Sequence, residues 1–480
     1  MSAAHSDGER VLALLQRHGW NATSFQILEA GFRYWFDGDD ACVAYVETRG
    51  AWVAAGAPVC AAARLGEVSA RFIAAARAAG RRAAFFAAES RLVDAAALRA
   101  MQIGEQPVWD ATRWATTIGA TRRLRTQLNR AVNKGVHVRA VAAAELATPA
   151  GATSPARAKS PANATTLTPL GRAVSALIDR WQHAKPMAPM GFLVDVQPFH
   201  FGAERRYFVA EREGVLVGFL AAVPIYGRAG WLLEDFLRDP RAPNGTSELI
   251  IDAAMRALGE EGSRYVTLGL APLAGPLRGT LRAARALSAA LYDFEGLRAF
   301  KAKLQPHAWE PIYLAHPPRS SSHVALVDAL AAFARGSFVR FGGATLLRGP
   351  ALVVRALAAA LVPWTVLLTS ASARWFPWPW VKTAWIAFDL VLVVTLFALT
   401  MRWRHWLGAA LATAISVDVA LTTAQVAFYD APRAHGDPID WVVMMISIAG
   451  PLLASVVLWG AVGHRRSTPD LVESRLETSS

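Results

Sequence analysis

The chain has 480 residues, more than one domain usually holds, so two or three domains are expected. Lys and Arg number 50 against 37 Asp and Glu, a net charge of +13. This charge favours anionic partners such as phospholipid headgroups or RNA, although part of it would only orient membrane helices. With Cys42 and Cys60 as the only cysteines, the composition excludes a disulfide framework and a cysteine-based zinc site.

The first 140 residues mix helix and strand patterns. The N-terminal stretch MSAAHSDGERVLALLQRHGW lacks a basic start followed by an apolar core, which predicts no signal peptide and a cytosolic first domain. The apolar spacing predicts helices at residues 9–19, Arg64–Ala79 and Leu92–Met101, a hairpin of Ala41–Val46 with Trp52–Ala55, and a strand at Ala83–Ala87. This mixture indicates an α/β or α+β domain.

The most basic segment covers residues 121–139. As a helix ending at Gly135, it separates a basic face from an apolar face. The basic face would carry Arg123, Gln127, Arg130 and Lys134. Two interpretations stay open: a solvated helix face, or a surface for nucleic-acid or lipid phosphates. The candidate phosphate ligands are Arg125, Arg130 and Lys134.

A change of composition follows. Residues 141–170 are rich in Ala, Pro, Ser and Thr without periodicity, which predicts a flexible linker. Beyond it, the predicted elements are a helix at Arg172–His183 and strands at Arg206–Arg212 and Val215–Val223.

Residues 231–273 predict one unit of strand, loop, helix and strand. The strand Trp231–Leu237 carries Glu234 and Asp235, as suits a strand that brings carboxylates into a cleft. The turn formers after it are Pro240, Pro243, Asn244 and Gly245, then come a helix capped by Thr246 or Ser247 and a strand at Tyr265–Leu270. Such a helix N-terminus either holds a phosphate or oxyanion through free N–H groups or is a simple cap.

A helix is predicted at residues 280–291. The segment after it, residues 292–317, concentrates positive charge beside aromatic residues. Its cations are Arg298, Lys301 and Lys303.

Long apolar stretches dominate beyond residue 340. Four of them, near 350–369, 383–400, 406–428 and 441–462, have the length of about 20 residues that crosses the hydrocarbon core as a helix. Basic residues before the first, between the second and third, and after the fourth predict that both termini and the soluble part face the cytosol. Asp389 and Asp418 lie inside these spans, either on a headgroup or proton path or as polar contacts between helices.

Several runs together resemble the catalytic domain of phosphatidylglycerol lysyltransferases, bacterial enzymes that aminoacylate membrane lipids using aminoacyl-tRNA. The runs, which match in order and spacing, are DFLR at 235–238, APNGT at 242–246, LGLAPL at 268–273, FEGLRAFKAKLQP at 294–306 and WEPIYLAHP at 309–317, with weaker echoes in AAGAPV at 54–59 and LRTQLNRAVNKG at 124–135. The chain departs from the family at Ala57 and at Ser247–Glu248, and its membrane part follows the soluble part. The resemblance therefore implies a transferase more than a flippase.

The resemblance also implies the fold: tandem GNAT-like (acetyltransferase-like) α/β or α+β domains, followed by an all-α four-helix transmembrane domain. The expected segments are a first GNAT-like domain at 1–140, a linker at 141–170, a second, catalytic GNAT-like domain at 171–318, a basic juxtamembrane segment at 319–349, four transmembrane helices at 350–463 and a cytosolic tail at 464–480.

The implied reaction exchanges one ester for another and needs no redox cofactor or ATP. Asp235 would hold the amino group of the aminoacyl moiety or act as base, and Arg238 would bind phosphate; a structural ion pair between these two residues is the alternative. The expected substrate-binding residues are Asn244, Gly245, Thr246, Glu295, Arg298, Lys301 and Lys303, with Arg125, Arg130 and Lys134 of the basic segment.

The expected partners are aminoacyl-tRNA, an anionic phospholipid and the bacterial cytoplasmic membrane. No metal site is expected, because the sequence has no HExxH or paired-cysteine pattern.

Three other functions stay open. The first is a GNAT acyltransferase that uses acyl-CoA, which is disfavoured because Pro243–Thr246 replaces the usual Gly-rich pyrophosphate loop. The second is a transferase that adds amino acids from aminoacyl-tRNA to a cell-wall precursor. The third is a degenerate, non-catalytic lipid-sensing module on a membrane anchor.

Overall fold

The computed structural model describes residues 3–149, 165–185, 188–273, 294–338, 340–341, 344, 350–370, 372, 375–401, 405–434 and 438–466. The chain divides into two compact units. The first comprises residues 1–184 and 189–341, and the second comprises residues 185–188 and 342–480.

Most strands of the first unit belong to one large sheet. The strands are β1 Arg33–Phe36, β2 Cys42–Glu47, β3 Ala51–Ala55, β4 Arg82–Ala88, β5 Arg99–Trp109, β6 Val136–Val141, β7 Ala147–Pro149, β8 Thr165–Leu167, β9 Arg206–Arg212, β10 Val215–Ile225, β11 Gly230–Arg238, β12 Val266–Thr267, β13 Ala271–Pro272 and β14 Ala308–His316. The sheet order is β1-β2-β3-β4-β14-β5-β12-β11-β10-β9-β6, β13 pairs with β5, and β7 and β8 form a separate hairpin.

Helices of the first unit cover the faces of this sheet. They are α1 Ala3–His18, α2 Leu65–Ala78, α3 Ser90–Ala95, α4 Trp114–Ala120, α5 Arg122–Asn133, α6 Ala143–Leu146, α7 Pro169–His183, α8 Thr246–Glu260, α9 Phe294–Lys303 and α10 Ser322–Phe333.

The sheet contains the same arrangement twice. β1, β2 and β3 are antiparallel neighbours, and β3 then pairs in parallel with β4 after the connecting helix α2. β9, β10 and β11 repeat this order, and β11 pairs in parallel with β12 after α8. This is the repeated GNAT-like unit that the resemblance implied. We call β1–β4 with α2 the first lobe and β9–β12 with α8 the second lobe.

The two lobes exchange their last strands. β5 follows the first lobe in sequence but pairs with β12 of the second, whereas β14 follows the second lobe but pairs with β4 of the first. β5 and β14 also pair with each other from Ala308↔Val108 to His316↔Arg99. The sheet is therefore continuous through both lobes.

The predicted domain boundaries do not coincide with this architecture. Residue 140 lies inside β6, which pairs along its length with β9 of the second lobe. The predicted linker at 141–170 is also partly wrong, because it contains the helix α6, the β7–β8 hairpin and the start of α7, where the Thr168 hydroxyl accepts a hydrogen bond from the Gly171 N–H. Its central residues lie outside the described residues.

The second-lobe core forms between α5, α8 and the sheet. Ile250, Ala254 and Leu258 lie four residues apart on α8 and are buried in one core with Leu124 and Ala131 of α5. Burial of each large aliphatic side chain contributes about 1.5–3 kcal/mol. The apolar side chains at helical spacing in the sequence therefore pack α5 against α8.

Most predicted elements of the first unit are confirmed, with two exceptions. The predicted helix Leu92–Met101 is wrong, because α3 ends at Ala95 and β5 begins at Arg99, where it gains β14 as a partner. The predicted strand Tyr265–Leu270 is longer than the observed strand β12, which covers only Val266–Thr267. The helix predicted at 280–291 lies outside the described residues.

The second unit is helical. Its helices are α11 Pro350–Ser370, α12 Pro379–Met401, α13 His405–Gln425 and α14 Pro438–Arg466, at the four predicted spans. Two segments of the described chain, Trp406–Arg433 and Asp440–Gly460, are long and apolar enough to cross a membrane. The count of four spans stays a prediction.

The contact of α5 with the start of α8 predicts a stability difference between two glycine variants. Gly245 has φ +99°, and a Cβ there would lie 2.2 Å from the Gln127 carbonyl oxygen, whereas Gly262 has φ +82° with nothing within 4 Å of its Cβ position. Both Gly→Ala changes incur the left-handed penalty of about 1–2 kcal/mol. Gly245→Ala should lower the thermal midpoint of the full chain in detergent well beyond Gly262→Ala. Equal midpoints would contradict this packing.

Candidate functional site

The sheet opens between β11 and β12. These strands pair only at Trp231↔Val266 and Leu232↔Thr267. The chain then turns at Gly269, with φ +67°, and β13 pairs with Glu105 and Gly104 of β5 instead. β11 therefore has no partner on this side from residue 233 to 238 among the described residues. We call this opening the β11–β12 gap.

A β-bulge sets which side chains of β11 face each side of the sheet. Asp235 pairs with Ala221 and Leu233 with Ala222, so Glu234 is an extra residue in β11. A bulge interrupts the alternation of strand side chains. Glu234 and Asp235 consequently face the same side, where both meet Arg205.

The side with Asp235 holds a buried acidic cluster, Glu29, Glu234 and Asp235, around the single guanidinium of Arg205. The Arg205 nitrogens lie 2.7 Å from Glu234, 3.5 Å from Asp235 and 3.7 Å from Glu29, and all four side chains are at most 5% exposed. Both carboxylate oxygens of Glu29, Oε1 of Glu234 and Oδ2 of Asp235 are buried without a hydrogen-bond partner in the described chain. Three carboxylates around one cation attract further positive charge.

The environment changes the acidity of this cluster. Burial raises the pKa of Asp235 well above its ordinary value, the neighbouring Glu234 raises it further, and Arg205 opposes both effects. Burial likewise raises the pKa of Glu29, with repulsion from Glu234 and Asp235 adding to it. Both carboxyls therefore hold a proton more tightly than an exposed carboxyl does.

The opposite side of β11 is cationic and aromatic. Phe236 stacks on Phe300 of α9, with ring centroids 6.2 Å apart. Two residues further along the strand, Arg238 is half-buried and makes no hydrogen bond or ion pair within the described residues. The predicted alternative, an ion pair between Asp235 and Arg238, is wrong, because residues three apart in a strand point to opposite faces of the sheet and Asp235 meets Arg205 instead.

The start of α8 lies beside Arg238 in the chain. Asn244 is exposed, Gly245 is left-handed, and the buried Thr246 hydroxyl donates to the Pro243 carbonyl at 2.8 Å. The side chain of Thr246 is therefore occupied. The backbone N–H groups of the first turn of α8 are the anion-binding feature that the loop offers.

The cations predicted on residues 294–306 have internal partners. Lys301 is buried, donates to the carbonyls of Leu268, Gly269 and Leu270 at 2.8–2.9 Å, and has a pKa that burial lowers to about 7. This geometry corrects the expectation that Lys301 grips a substrate, because its three N–H donors hold the chain where β12 ends.

Three further predicted residues lie on α9. Lys303 forms an ion pair with Glu248 of α8. Arg298 lies 3.7 Å from Glu105 and 4.9 Å above the Trp309 ring. Glu295 is exposed. Of these, Lys303 borders the start of α8, so it is the one that the structure brings to the cationic side of the gap.

The basic helix α5 adjoins the same loop. Arg130 on this helix and Lys134 immediately after it are exposed, and the backbone of Gln127 lies against Gly245. Arg125 instead donates to the carbonyls of Ile118 and Gly119 and so caps α4. Arg130 and Lys134, which have no ion-pair partner among the described residues, therefore extend the positive surface outward from α8.

Sequence reasoning missed the partners of Asp235. Glu29 lies in a loop after α1, and Arg205 precedes β9, far from Asp235 in sequence. Only the adjacent carboxylates Glu234 and Asp235 signalled the cluster. A second missed network joins the lobes: Arg228 pairs with Glu89 and Glu310, and Gln106 donates to Glu310 and to the Tyr265 hydroxyl.

The family model for the C-terminal part of phosphatidylglycerol lysyltransferase matches residues 12–154 and 162–316, more than half of the chain. The chain belongs to this family. The predicted resemblance is thereby confirmed, and membership in the phosphatidylglycerol lysyltransferase family makes this a protein of the transferase class. No curated protein matches the chain.

Two solved structures share the fold. The C-terminal domain of a protein provisionally named lysylphosphatidylglycerol synthetase from Agrobacterium fabrum is 23% identical, with a TM-score of 0.56 over 70% of this chain and 99% of that one. L-PGS from Bacillus licheniformis is 21% identical, with a TM-score of 0.55 over 70% and 97%. The mixed α/β, GNAT-like fold expected for residues before the membrane helices is confirmed.

The raised pKa of Glu29 predicts a pH-dependent effect of Glu29→Gln. Such a carboxyl has a higher pKa in the folded chain than its pKa of about 4.3 in the unfolded chain, and it stabilises the fold fully below pH 4.3. This stabilisation is lost as the pH rises through the pKa of the folded state. Glutamine does not ionise, so Glu29→Gln should raise the urea midpoint of the full chain more at pH 8 than at pH 5. The exposed Glu213→Gln is the matched control. A Glu29→Gln effect that is the same at both pH values would contradict the assignment.

Proposed function

We propose that this protein transfers an aminoacyl group from aminoacyl-tRNA to a hydroxyl of a membrane phospholipid such as phosphatidylglycerol. Family membership supports a transferase that acts on phospholipid. The observation that carries the proposal is the β11–β12 gap, which has on one side a helix N-terminus and an arginine without a partner among the described residues, and on the other a carboxylate cluster. The substrates carry the complementary charges, anionic phosphates and a cationic amino group.

The cationic side suits the phosphates of both substrates. Arg238 and the first turn of α8 would bind one phosphate close to the gap, through a charge-assisted contact and backbone N–H groups. Arg130 and Lys134 on α5 would bind more distant phosphates of the tRNA acceptor end. Backbone phosphates dominate the affinity of proteins for nucleic acids, so a basic helix next to the gap supports an RNA donor.

The acidic cluster suits the amino group of the aminoacyl moiety. Because no described strand pairs with β11 beyond Leu232, a substrate held at this edge would lie between the two faces of the sheet. An ammonium group would provide the positive charge and the hydrogen-bond donors that Glu29, Glu234 and Asp235 lack. Asp235, with its raised pKa, is also the nearest candidate to accept a proton during the reaction.

The transfer needs alignment and charge stabilisation more than a strong nucleophile. The lipid hydroxyl oxygen attacks the aminoacyl carbonyl carbon, the ester bond to the tRNA ribose breaks, and the hydroxyl proton ends on the ribose oxygen that leaves. The N–H groups at the start of α8 would stabilise the tetrahedral oxyanion between these steps. Holding both substrates in the gap would supply the entropic part of the acceleration.

The helices of the second unit support membrane association. Two segments are long and apolar enough to span a bilayer, and a lipid acceptor requires proximity to one. The proposed location is the bacterial cytoplasmic membrane, with four spans and with the soluble part and both termini in the cytosol.

Lipid extracts test the reaction directly. Expression of the full chain in a bacterium without aminoacylated lipids should produce a ninhydrin-positive phosphatidylglycerol, identified by mass spectrometry. Asp235→Asn and Arg238→Gln should each lower its amount by at least roughly tenfold, the effect of losing one contact to a charged group. The exposed residues Asp179 and Arg49 provide the matched controls Asp179→Asn and Arg49→Gln.

Two results would count against the proposal. Normal lipid aminoacylation in Asp235→Asn would remove that residue from the mechanism. An aminoacylated cell-wall precursor in place of an aminoacylated lipid would favour the cell-wall transferase, and no product in either fraction would favour a non-catalytic module.

The role of α5 predicts a change in salt dependence. Replacing both Arg130 and Lys134 by Glu should weaken binding of tRNA to the full chain. It should also lower the steepness of log affinity against log salt concentration by roughly 1–2, because each lost phosphate contact removes somewhat less than one unit of slope. The double variant Arg49→Glu with Arg77→Glu changes the net charge equally at exposed sites of the first lobe. An equal loss of slope in both variants would mean that only net charge matters.

A further inference from the structure

The helix α10 exposes its larger apolar side chains and buries its small ones. The buried side consists of three alanines and a carboxylate, Ala325, Asp328, Ala329 and Ala332. The outer face carries Val324, Val327 and Leu330, which are 41%, 53% and 49% exposed. A helix on the surface of a soluble protein normally turns its polar side chains outward and its apolar ones inward. The outer face of α10 is therefore suited to an apolar partner.

The charges around this face are positive. Asp328 is the only Asp or Glu in residues 317–341, and it turns inward, where its carboxylate oxygens accept from Arg82 at 2.6 and 2.8 Å. Arg319 before the helix and Arg340 after it are exposed and form no ion pair within the described residues. The apolar face thus lies between two arginines, and its own segment offers no carboxylate to neutralise them.

α10 is firmly attached to the large sheet. It packs on β3, β4 and β14. At its end, the Phe333 ring makes edge contacts with Phe86 of β4 and with Phe192, with ring centroids 4.9 and 5.2 Å apart. The same continuous sheet carries the β11–β12 gap. A contact made by the outer face of α10 would therefore orient the whole sheet together with the gap.

The length of α10 and its place in the chain favour a lipid bilayer as the partner. Residues 334–349 form a short covalent connection from α10 to α11, the first helix of the second unit. The 12 residues of α10 measure about 18 Å, too little to cross a hydrocarbon core of about 30 Å. A short helix with an apolar face instead lies in the bilayer interface, with that face between the headgroups and the acyl chains.

We propose that the outer face of α10 lies in the interface of an anionic bilayer. Val324, Val327 and Leu330 would contact the acyl chains, while Arg319 and Arg340 would reach the headgroup phosphates. This contact would add to the anchoring by the second unit and would hold the sheet in one orientation to the lipid surface. It concerns membrane binding by the first unit and does not depend on aminoacyl transfer.

Fluorescence quenching of the full chain in vesicles tests this contact. Val327→Cys labelled with bimane places a probe on the outer face of α10, and labelled Val215→Cys, at the exposed start of β10, is the matched control. The native cysteines are buried, and burial raises the pKa of Cys42 to about 12 and that of Cys60 to about 11. They are therefore thiols near neutral pH and do not compete for the label.

Two quenchers separate contact with lipid from contact with water. In vesicles of phosphatidylglycerol and phosphatidylcholine, a nitroxide-labelled phospholipid should quench the Val327 probe at least roughly threefold more than the Val215 probe, because an interfacial helix buries its apolar face among the lipids. Iodide, which quenches from the aqueous phase, should show the reverse order.

The role of the arginines has its own test. Replacing Arg319 and Arg340 together by Gln should lower lipid quenching of the Val327 probe at least roughly twofold, because an anionic surface attracts each basic residue near it. Vesicles of phosphatidylcholine alone should have the same effect on the unchanged arginines. The double variant Arg49→Gln with Arg77→Gln, at exposed sites of the first lobe, is the matched control. Equal lipid quenching in both double variants would overturn the assignment of these arginines.

Three results would overturn the bilayer contact. The first is iodide quenching of both probes alike, with neither quenched by the nitroxide lipid. The second is a Val327 probe that is shielded from iodide but not quenched by lipid, with shielding that grows with protein density, which would mean that a second copy covers the face. The third is the same shielding independent of density, which would mean that another segment of the chain covers it. Loss of lipid aminoacylation with undiminished lipid quenching would instead count against the second-lobe reaction alone.

Discussion

The antiparallel pairing of β5 with β14 is the contact on which the candidate site depends. Each strand belongs by sequence to one lobe and adds to the sheet of the other. β5 then draws residues 266–272 towards itself, because it pairs first with β12 and then with β13. β11 loses its neighbour as a result, and the gap opens. Lys301 fixes this geometry by binding the three carbonyls at the end of β12.

The gap separates charges that would otherwise neutralise each other. A regular strand would place Glu234 on the face of Arg238, but the bulge turns both carboxylates of β11 towards Arg205. Within the described residues, the Arg238 guanidinium has no partner, and four oxygens of the acidic cluster have no hydrogen bond. Buried groups in this state raise the free energy of the folded chain, and such costs are typical of sites that await a ligand. The proposed substrates, with phosphates at one end and an amino group at the other, match this separation.

The sequence was informative where a structure depends on neighbours in the chain. Apolar residues at helical spacing predicted α2, α5, α7 and α8, and the Asn-Gly turn placed the start of α8. It was uninformative where contacts are distant. The Ala-rich stretch after Leu92 favours a helix locally, yet pairing with β14 makes part of it a strand. The two adjacent carboxylates Glu234 and Asp235 would point to opposite faces of a regular strand, and only the register with β10 reveals the bulge that places both beside Arg205.

The two lobes use one fold with different strand pairing, and this difference determines what each lobe can do. β3 and β4 stay paired for the whole length of β3, so the first lobe has a closed sheet. β11 and β12 part after two residues, so the second lobe has an unpaired strand edge among the described residues. A closed sheet cannot bring two substrates together through it. The proposed transfer would therefore take place in the second lobe, where β11 and β12 part.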